Sequence, residues 1–337
     1  MTTIVPSQMA SSYVLFTAQV IIYDCHIFDK RAAGFRDRAI EKRINYCPMS
    51  SEEIKFEPLH GDFGARVVGM TMAESIPRGL AQKIEDALNE FSLLVFPEQA
   101  INDAIHFALT KSLGEPEPNH LSEGATGEVN YFGTIGNVID ADTQKGNDDA
   151  LTKYLSGNYM WHTDSSFRKV PSKYSINHAY EVPGEGGDTL FVSTRAAYER
   201  LSEDKKNEIN RLTVLHDYVF SRSQVASVNP NHAANFMPVR HKLVQTNPRN
   251  GKKNFYVGSH ARGICEYPGV EARRLIDELL SLSTREQDIY THHWAVGDTV
   301  IWDNRCILHR GSGYDADRWR RLMRQTRVSG EGANLTE

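Results

Sequence analysis

Residues 161–164 read Trp161-His162-Thr163-Asp164, and both the predicted fold and the predicted site are built around this stretch. On a β-strand, side chains two positions apart point to the same face. An imidazole nitrogen of His162 and a carboxylate oxygen of Asp164 would therefore project side by side into one cavity. The pair supplies two ligands of a metal site that still needs a third donor.

His309, within the stretch from Trp302 to Arg310, is the best candidate for the third donor. Two imidazoles and one carboxylate on one face of an octahedral ion, with the opposite face open, are typical of the non-heme Fe(II) oxygenases. The short pattern alone is weak, because His-x-Asp also occurs at residues 60–62 and the chain contains 13 His. With so many histidines, about one chance match is expected. The downstream sequence therefore has to distinguish the two matches.

The composition is that of an ordinary globular protein, with 40% hydrophobic and 24% charged residues among 337. A net charge of −5 gives no general attraction to nucleic acid or to an anionic membrane surface. The four cysteines form no CxxC pair, which fits reduced thiols in an intracellular protein. No stretch reaches the roughly 20 apolar residues that a membrane span needs. We therefore expect a cytoplasmic protein.

The first 48 residues differ from the rest of the chain, since they lack a clear core pattern and carry a basic run from Arg31 to Arg43. We interpret residues 1–48 as a disordered or mis-annotated N-terminal extension, with Met49 as the natural start. Residues 49–337 are then expected to form a single domain, because no internal repeat and no second boundary is visible.

The remainder of the chain combines a few amphipathic helices with many short strands. Leu80, Ile84 and Leu88 fall on one stripe of a predicted helix that Pro77 opens. Farther along, short strands separated by turns dominate the sequence. This pattern predicts a mostly β protein with flanking helices, built on a double-stranded β-helix (jelly roll) core.

Residues 115–158 are rich in Gly, Asn, Asp and Glu and show no apolar periodicity. A connection of this length inside a compact domain is usually an active-site lid or a disordered segment. Because it leads directly into Asn158 and the predicted His162 strand, a lid is the sharper hypothesis. Tyr131 and Phe132 would be its apolar contacts with a ligand.

Two arginines near the end of the chain predict an anion site. If residues 320–326 form a strand, Arg320, Leu322 and Arg324 share one face. A solvent-facing edge strand is the simplest interpretation of such a pair. The apolar Leu322 on the same face favours the interior instead, where a carboxylate would have to compensate the two guanidinium charges.

Several short motifs follow one another in order between about Phe56 and Val328. They are Trp161-His162-Thr163-Asp164-Ser165-Ser166-Phe167, Gly186-Gly187-Asp188-Thr189, Trp302-Asp303-Asn304-Arg305, His309-Arg310-Gly311, Tyr314-Asp315, and the pair Arg320 and Arg324. This ordered set resembles the taurine dioxygenase / 2,4-dichlorophenoxyacetate dioxygenase (TauD/TfdA) family. The match at residues 60–62 lies where that family has an N-terminal strand, so no metal is assigned to it.

The resemblance implies an Fe(II)- and 2-oxoglutarate-dependent dioxygenase that uses O₂, hydroxylates a small organic anion and releases succinate and CO₂. In such an enzyme His162, Asp164 and His309 would be both the metal ligands and the catalytic residues. Thr189 and Arg320 would hold the far carboxylate of 2-oxoglutarate. The other residues that the resemblance brings to the site are Asn158 and Arg324, for cofactor and substrate, and His216 and Ser165, for substrate.

The resemblance implies a carboxylate, a phenoxyacetate-like acid or a sulfonate as substrate. Residues 174–175 and 309–311 are closer to the phenoxyacetate branch of the family than to the taurine branch, whereas residues 312–313 are Ser-Gly where that branch can carry basic residues. Two alternatives use the same three ligands: a metal-binding jelly-roll protein without oxygenase activity, and a zinc hydrolase. Because members of the family commonly self-associate, the resemblance also favours a homo-oligomer.

Overall fold

The structure, a computed structural model of the chain, describes residues 53–119, 129–228 and 233–332. The predicted extension, residues 1–48, lies outside this part. Strands outnumber helices within it, as the sequence predicts. The strands are β1 Lys55–Pro58, β2 Ala65–Val68, β3 Leu93–Phe96, β4 Gly133–Gly136, β5 Ser172–Glu181, β6 Thr189–Ser193, β7 Thr213–His216, β8 Val239–Lys242, β9 Val244–Thr246, β10 Lys253–Phe255, β11 Ala261–Ile264, β12 Tyr290–His292, β13 Thr299–Asp303, β14 Ile307–Gly311 and β15 Leu322–Ser329. The helices are α1 Arg78–Phe91, α2 Asp103–Leu113, α3 Ala150–Leu155, α4 Thr194–Glu199, α5 Glu203–Ile209, α6 Tyr218–Ser223 and α7 Gly269–Ser283, with 3-10 turns at Ser156–Tyr159 and Glu286–Asp288.

Seven strands form the largest sheet, in the order β1-β2-β3-β13-β5-β15-β4. Its neighbouring strands are antiparallel except for β2 and β3, which run parallel. A three-stranded sheet, β12-β6-β14, carries one of the three candidate metal ligands. The remaining strands form the smaller sheets β11-β7-β8 and β10-β9.

Strand β3, in the interior of the large sheet, is buried on both faces, because none of its four residues is more than 1% exposed. Leu93 and Val95 share a core with Phe191 of β6, so they face the three-stranded sheet. Leu94 and Phe96 belong to a second core, which α1 and α2 cover. A strand buried on both faces needs a continuous apolar run rather than alternation, and β3 has one.

Helices α1 and α2 cover the outer face of the large sheet. The buried stripe of α1 consists of Ala81, Ile84 and Leu88, at the spacing that one helix face requires. Helix α2 begins after Asn102, whose side-chain oxygen accepts a hydrogen bond of 2.9 Å from the backbone N–H of Ile105. Burying a leucine such as Leu88 of α1 contributes about 2 kcal/mol to stability. No helix in the described ranges is long and apolar enough to cross a membrane.

The predicted lid, residues 115–158, is partly regular. It contains β4, α3 and a 3-10 turn, and its residues 120–128 lie outside the described part. Tyr131 and Phe132 pack against Phe107 of α2, with ring centroids 5.2 and 6.0 Å away. Neither residue lines the cavity of the candidate site, so the predicted ligand contacts of Tyr131 and Phe132 are wrong. Both residues are half-buried, and their rings pack against a helix.

Candidate metal centre and ligand cavity

Three side chains from separate parts of the chain converge: His162, Asp164 and His309. One donor atom of each lies within 4.8 Å of the other two. The backbone explains how the histidines meet, because the N–H of each donates to the carbonyl of the other, with N···O distances of 3.0 and 2.8 Å. Their ring centroids are 4.2 Å apart. The predicted triad is therefore brought together, with His309 in the middle of β14.

Asp164 reaches the cavity from a turn rather than from a strand. Residue 162 forms only a single β-bridge, and residues 164–167 are a turn. The Thr163 hydroxyl donates to the backbone carbonyl of Asn304 at 2.6 Å, and the Asn304 side-chain oxygen accepts from the Asp164 N–H at 3.2 Å. Ser165 follows with a φ of +55°, in the left-handed region. The predicted strand is wrong, yet the turn directs both side chains into the same cavity.

Hydrogen bonding determines which imidazole nitrogen can bind a metal ion. Nδ1 of His162 lies 2.8 Å from the Met160 carbonyl, which can only accept, so Nδ1 carries the proton. The lone pair of His162 is then on Nε2, which is 3.9 Å from Oδ1 of Asp164. Nε2 of His309 is 3.9 Å from the other oxygen of the same carboxylate. The nitrogens that face the carboxylate are thus the ones suited to coordination.

The charge states also fit a divalent metal ion. Burial is the main cause of the lowered pKa values of both histidines. It lowers the pKa of His162, and it lowers the pKa of His309 to about 3. Burial would raise the pKa of Asp164, but His309, His162 and Arg327 outweigh it and hold that pKa below its ordinary value. Metal ions need neutral imidazoles and an ionised carboxylate. This mixed nitrogen and oxygen donor set suits Fe(II).

A buried polar network orients the Asp164 carboxylate. Its Oδ2 accepts hydrogen bonds from the Ser175 hydroxyl at 2.6 Å and from Nε2 of Gln325 at 3.2 Å. Oε1 of Gln325 accepts in turn from Arg327 at 2.8 Å, and Nε of Arg327 donates to Glu117 at 3.0 Å. Because Oδ2 already has two donors, Oδ1 is the oxygen best placed to bind a metal ion.

The three ligands open into a cavity with about 1160 Å³ of empty space, including its mouth. Arg321 lines this cavity although it is only 8% exposed, and its Nη2 donates to the Gly187 carbonyl at 3.3 Å. Among the described residues, Arg321 forms no ion pair with a carboxylate. Thr189 also lines the cavity, as predicted, and its hydroxyl oxygen accepts from Nε1 of Trp294 at 2.9 Å.

Arg320 and Arg324 point away from this cavity, so the predicted contacts of both with 2-oxoglutarate or substrate are wrong. Nε of Arg320 donates to Glu181 at 2.7 Å in a partly exposed pair. Nη2 of Arg324 donates to Asp103, the first residue of α2, also at 2.7 Å. Each guanidinium already has a carboxylate partner at the surface, and neither is among the residues that line the cavity.

The predicted inward-facing positions of β15 and of the residues just before it are shifted by one residue. Gln325 faces the metal centre, whereas Thr326 faces α2, where its hydroxyl hydrogen bonds Thr110 at 2.7 Å. Both faces of this strand are buried over much of its length, so the apolar Leu322 could not identify the inner one. A shift of one position sends every side chain to the opposite face. Arg321, the neighbour of the predicted residue, is the arginine in the cavity.

Asn158 lines the cavity, as predicted, and hydrogen bonds an arginine that the sequence analysis missed. Its Oδ1 accepts from Nη2 of Arg222 at 3.0 Å. Arg222 lies on α6, lines the cavity and is 8% exposed. Tyr154 and Tyr218 flank its guanidinium. No local motif marks Arg222, because only the packing of α6 brings it to the site.

His216 and Ser165 are buried beside the site but do not line its cavity, so their predicted substrate contacts are wrong. Nδ1 of His216 is 3.0 Å from the Ser166 hydroxyl. The Ser165 hydroxyl donates to Glu117 at 2.5 Å, because the left-handed backbone turns this side chain away from the ligands. Both residues therefore form part of the packing behind the metal centre.

Known proteins are similar to this chain over most of its length. The family profile described as "Taurine catabolism dioxygenase TauD, TfdA family" matches residues 55–326. An alpha-ketoglutarate-dependent 2,4-dichlorophenoxyacetate dioxygenase from Cupriavidus pinatubonensis is 34% identical over 283 residues, which are 80% of this chain and 96% of that protein. An (S)-phenoxypropionate/alpha-ketoglutarate-dioxygenase from Sphingobium herbicidovorans is 32% identical over 83% of this chain and 96% of its own length.

A solved structure is also similar to this chain. The crystal structure of AAD-2 in complex with Mn(II) and N-oxalylglycine superposes with a TM-score of 0.77 at 30% identity, covering 85% of this chain and 100% of that chain. The family match spans most of the chain, and the relatives are matched over nearly their full length. The chain therefore belongs to the TauD/TfdA family and is a 2-oxoglutarate-dependent dioxygenase that uses Fe(II) and O₂.

Proposed function

We propose that His162, Asp164 and His309 hold the Fe(II), and that this cavity hydroxylates a small organic anion. The observation that carries the proposal is the convergence of two neutral imidazoles and one ionised carboxylate in a single buried cavity. When bound, Fe(II) supplies the open coordination positions that 2-oxoglutarate and O₂ need, with succinate and CO₂ as co-products. The side chains of the protein hold the two organic ligands and exclude water.

Arg321 and Thr189 are the proposed partners of the far carboxylate of 2-oxoglutarate. Arg321 is a buried cation without an ion pair among the described residues, which is costly unless an anion binds beside it. A guanidinium can grip a carboxylate through two parallel hydrogen bonds. Because the Thr189 oxygen already accepts from Trp294, its own O–H is left to donate to the same carboxylate.

The proposed substrate is an aryloxyalkanoate, a carboxylate attached to an aromatic ether. The printed names of two relatives, a 2,4-dichlorophenoxyacetate dioxygenase and an (S)-phenoxypropionate dioxygenase, support this class. The aromatic lining of the cavity also supports it, because Tyr154, Tyr159 and Tyr218 are among the lining residues. A sulfonate or sulfate ester is the second candidate, because another relative is called an alpha-ketoglutarate-dependent sulfate ester dioxygenase.

For the architecture, we infer a double-stranded β-helix within a catalytic domain of residues 49–337. The large sheet and the sheet β12-β6-β14 share one core, in which Leu93 and Trp302 meet Phe191. His309 on β14 and Ser175 on β5 reach the metal centre from these two sheets. Two facing sheets with a site between them are the arrangement that this fold requires.

An anaerobic binding experiment tests the metal and cofactor roles. Fe(II) and 2-oxoglutarate are expected to give the weak visible charge-transfer band of the chelate, and His162→Ala is expected to abolish it. His293→Ala is the matched control, because this histidine is exposed and is not among the residues that line the cavity. A band of equal strength in wild type and His162→Ala would refute the ligand assignment.

A turnover experiment then tests the reaction. Succinate release is expected to require Fe(II), 2-oxoglutarate and O₂, and to increase when phenoxyacetate is added. Product formation with Zn²⁺ and without 2-oxoglutarate would identify a hydrolase instead.

A further inference from the structure

We propose that Arg222 binds the carboxylate of the substrate, and that Asn158 positions Arg222 for this task. The inference rests on the proposed function and assigns the anion receptor within the same cavity. The substrate it predicts is an aromatic acid, not a neutral aromatic compound. Arg222 is thereby a specificity-determining residue, distinct from the arginine that is proposed to hold 2-oxoglutarate.

The charge balance of the cavity is the first support. Two buried guanidinium groups, Arg222 and Arg321, line it without an ion pair among the described residues. Arg327 also lines it, but its charge is compensated by Glu117 at 3.0 Å. A buried cation needs an anion close by. Asp188 also lines the cavity, and its charge acts on Arg321. The far carboxylate of 2-oxoglutarate is the proposed partner of Arg321, so Arg222 is the cation left for a second anion.

The hydrogen bonds of Arg222 leave donors for a ligand. Nη2 donates to Oδ1 of Asn158 at 3.0 Å, Nη1 has a long contact of 3.5 Å with the Tyr154 carbonyl, and the guanidinium also hydrogen bonds the Tyr218 hydroxyl. Nε is buried and has no hydrogen-bond partner in the described residues. A guanidinium carries five N–H donors. Neutral acceptors thus hold one edge of the group, and the unused donors can bind a carboxylate.

Two tyrosine rings flank the guanidinium of Arg222. The guanidinium carbon lies 5.4 Å from the ring centroid of Tyr154 and 5.7 Å from that of Tyr218. The hydroxyls of these two tyrosines are hydrogen bonded to each other. Burial raises the pKa of Tyr218 well above its ordinary value, so this phenol stays neutral and does not compensate the charge.

Close packing restricts the position of the guanidinium. A Cβ on Gly157 would clash with Nη1 of Arg222, so a larger residue at 157 would displace the guanidinium from the observed position. Asn158, the next residue, supplies the acceptor on the same side. The tyrosine rings that flank the charge would contact the aromatic part of a substrate whose carboxylate binds Arg222. This combination selects an aromatic carboxylate.

The test compares phenoxyacetate with its neutral analogue phenoxyacetamide in wild type, Arg222→Met and Arg222→Lys. Binding is measured anaerobically on protein loaded with Fe(II) and 2-oxoglutarate, through the change in the visible band. Loss of a buried charge partner is expected to weaken phenoxyacetate binding by about 100-fold in Arg222→Met. The lysine variant should recover part of this loss, because it restores the charge but not the planar fork.

Two comparisons make the result specific. The affinity for 2-oxoglutarate should be unchanged in Arg222→Met, and phenoxyacetamide should bind wild type and Arg222→Met equally weakly. Arg318→Met, at an exposed arginine that pairs with Glu185, is the matched control and should behave as wild type. Weakened binding of 2-oxoglutarate with unchanged binding of phenoxyacetate would overturn the assignment, as would equal binding of acid and amide to wild type.

The role of Arg222 can be tested separately from the proposed Fe(II) and 2-oxoglutarate chemistry. Calorimetry on metal-free protein measures the preference for the acid over the amide without any turnover. A preference that Arg222→Met abolishes supports the receptor even if the visible band never forms. Failure of phenoxyacetate to bind wild type in both experiments would refute the receptor, whatever the behaviour of Fe(II) and 2-oxoglutarate.

Discussion

Arg320 and Arg321 are adjacent in the chain, but their guanidinium groups lie in opposite environments. Arg320 pairs with Glu181 at 2.7 Å in a partly exposed position. Arg321 is buried in the ligand cavity, and its Nη2 donates only to a backbone carbonyl, that of Gly187. One arginine is compensated by the protein, and the other is left for a ligand. The pair is therefore a natural internal control for the 2-oxoglutarate site.

Arg321→Met is expected to weaken the binding of 2-oxoglutarate, whereas Arg320→Met is expected to leave it unchanged. Removing one side of a buried charge pair costs about 2–5 kcal/mol, so the dissociation constant should increase by about 30-fold or more. The measurement is an anaerobic titration of 2-oxoglutarate into Fe(II)-loaded protein, followed by the visible band. A larger effect at Arg320 than at Arg321 would contradict the proposed orientation of the cofactor.

Gln325→Met is expected to weaken Fe(II) binding without removing a ligand. Nε2 of Gln325 donates to Oδ2 of Asp164 at 3.2 Å, and its Oε1 accepts from Arg327 at 2.8 Å. Loss of such an orienting hydrogen bond typically costs about 10-fold or more in metal affinity. Fe(II) titration under nitrogen measures the change, with Arg324→Met on the outer face of the same strand as control. Unchanged Fe(II) affinity would show that Ser175 alone holds the carboxylate.

Glu117→Gln is expected to destabilise the whole fold. Glu117 is 2% exposed, pairs with Arg327 at 3.0 Å and accepts from the hydroxyls of Ser165 and Ser172. Neutralising it leaves a buried guanidinium uncompensated, which costs about 3 kcal/mol or more. Urea unfolding followed by circular dichroism measures the free energy of unfolding.

The control for this variant is Asp148→Asn, which removes one partner of the exposed pair with Lys153. Because solvent screens an exposed pair, no measurable change in the unfolding midpoint is expected. Equal midpoints for wild type and Glu117→Gln would show that the buried pair contributes no net stability.

The convergence of His162, Asp164 and His309 and the predominance of strands could be predicted because they depend on residue type and order. Two imidazoles and a carboxylate have few structural uses in combination, and the three side chains meet despite an error in the predicted local structure. Asp164 arrives from a turn held by Asn304, not from the expected strand. The alternation rule correctly placed the His162 and Asp164 side chains in one cavity, although a turn and not a strand brings them together. Thr189 and Asn158 likewise line the cavity as expected from their positions in the motifs.

The arginines could not be predicted with the same rules. Alternation identifies the inner face of a strand only when the other face meets solvent, and β15 is covered on its outer face by α2. Alternation therefore predicted Arg320 on the inner face and could not show that Arg321 takes this position instead. Arg222 has no motif at all, because its place in the cavity depends on how α6 packs against the turn that contains Asn158. Such long-range placement is a property of the folded chain.

Acid is expected to destabilise the protein partly through His106, a residue of α2 that is remote from the proposed catalytic chemistry. Burial, followed by the charge of His178, lowers the pKa of His106 from 6.5 to about 3. Its Nε2 lies 3.2 Å from the carbonyl of Ile176 and 3.0 Å from the Thr326 hydroxyl, which ties α2 to the large sheet. Native His106 thus stays neutral at pH values where the unfolded chain binds a proton.

The sign of the effect follows from this difference. Above pH 6.5 neither state is protonated at His106, and no stability is lost through it. Between pH 6.5 and about 3 the unfolded chain takes up the proton first, so the free energy of unfolding falls as the pH decreases. The slope from one such histidine is about 1.4 kcal/mol per pH unit. His106→Gln keeps a side-chain donor for the carbonyl but cannot titrate.

Urea unfolding of wild type and His106→Gln at pH 7, 6, 5 and 4, at constant ionic strength, measures this contribution. Other buried histidines titrate in both proteins, so the difference between the two curves isolates His106. The stability of the variant should decline less steeply below pH 6, by about 1.4 kcal/mol per pH unit. Parallel curves would mean that the pKa of His106 is the same in the native and unfolded states, and would refute the lowering of this pKa by burial.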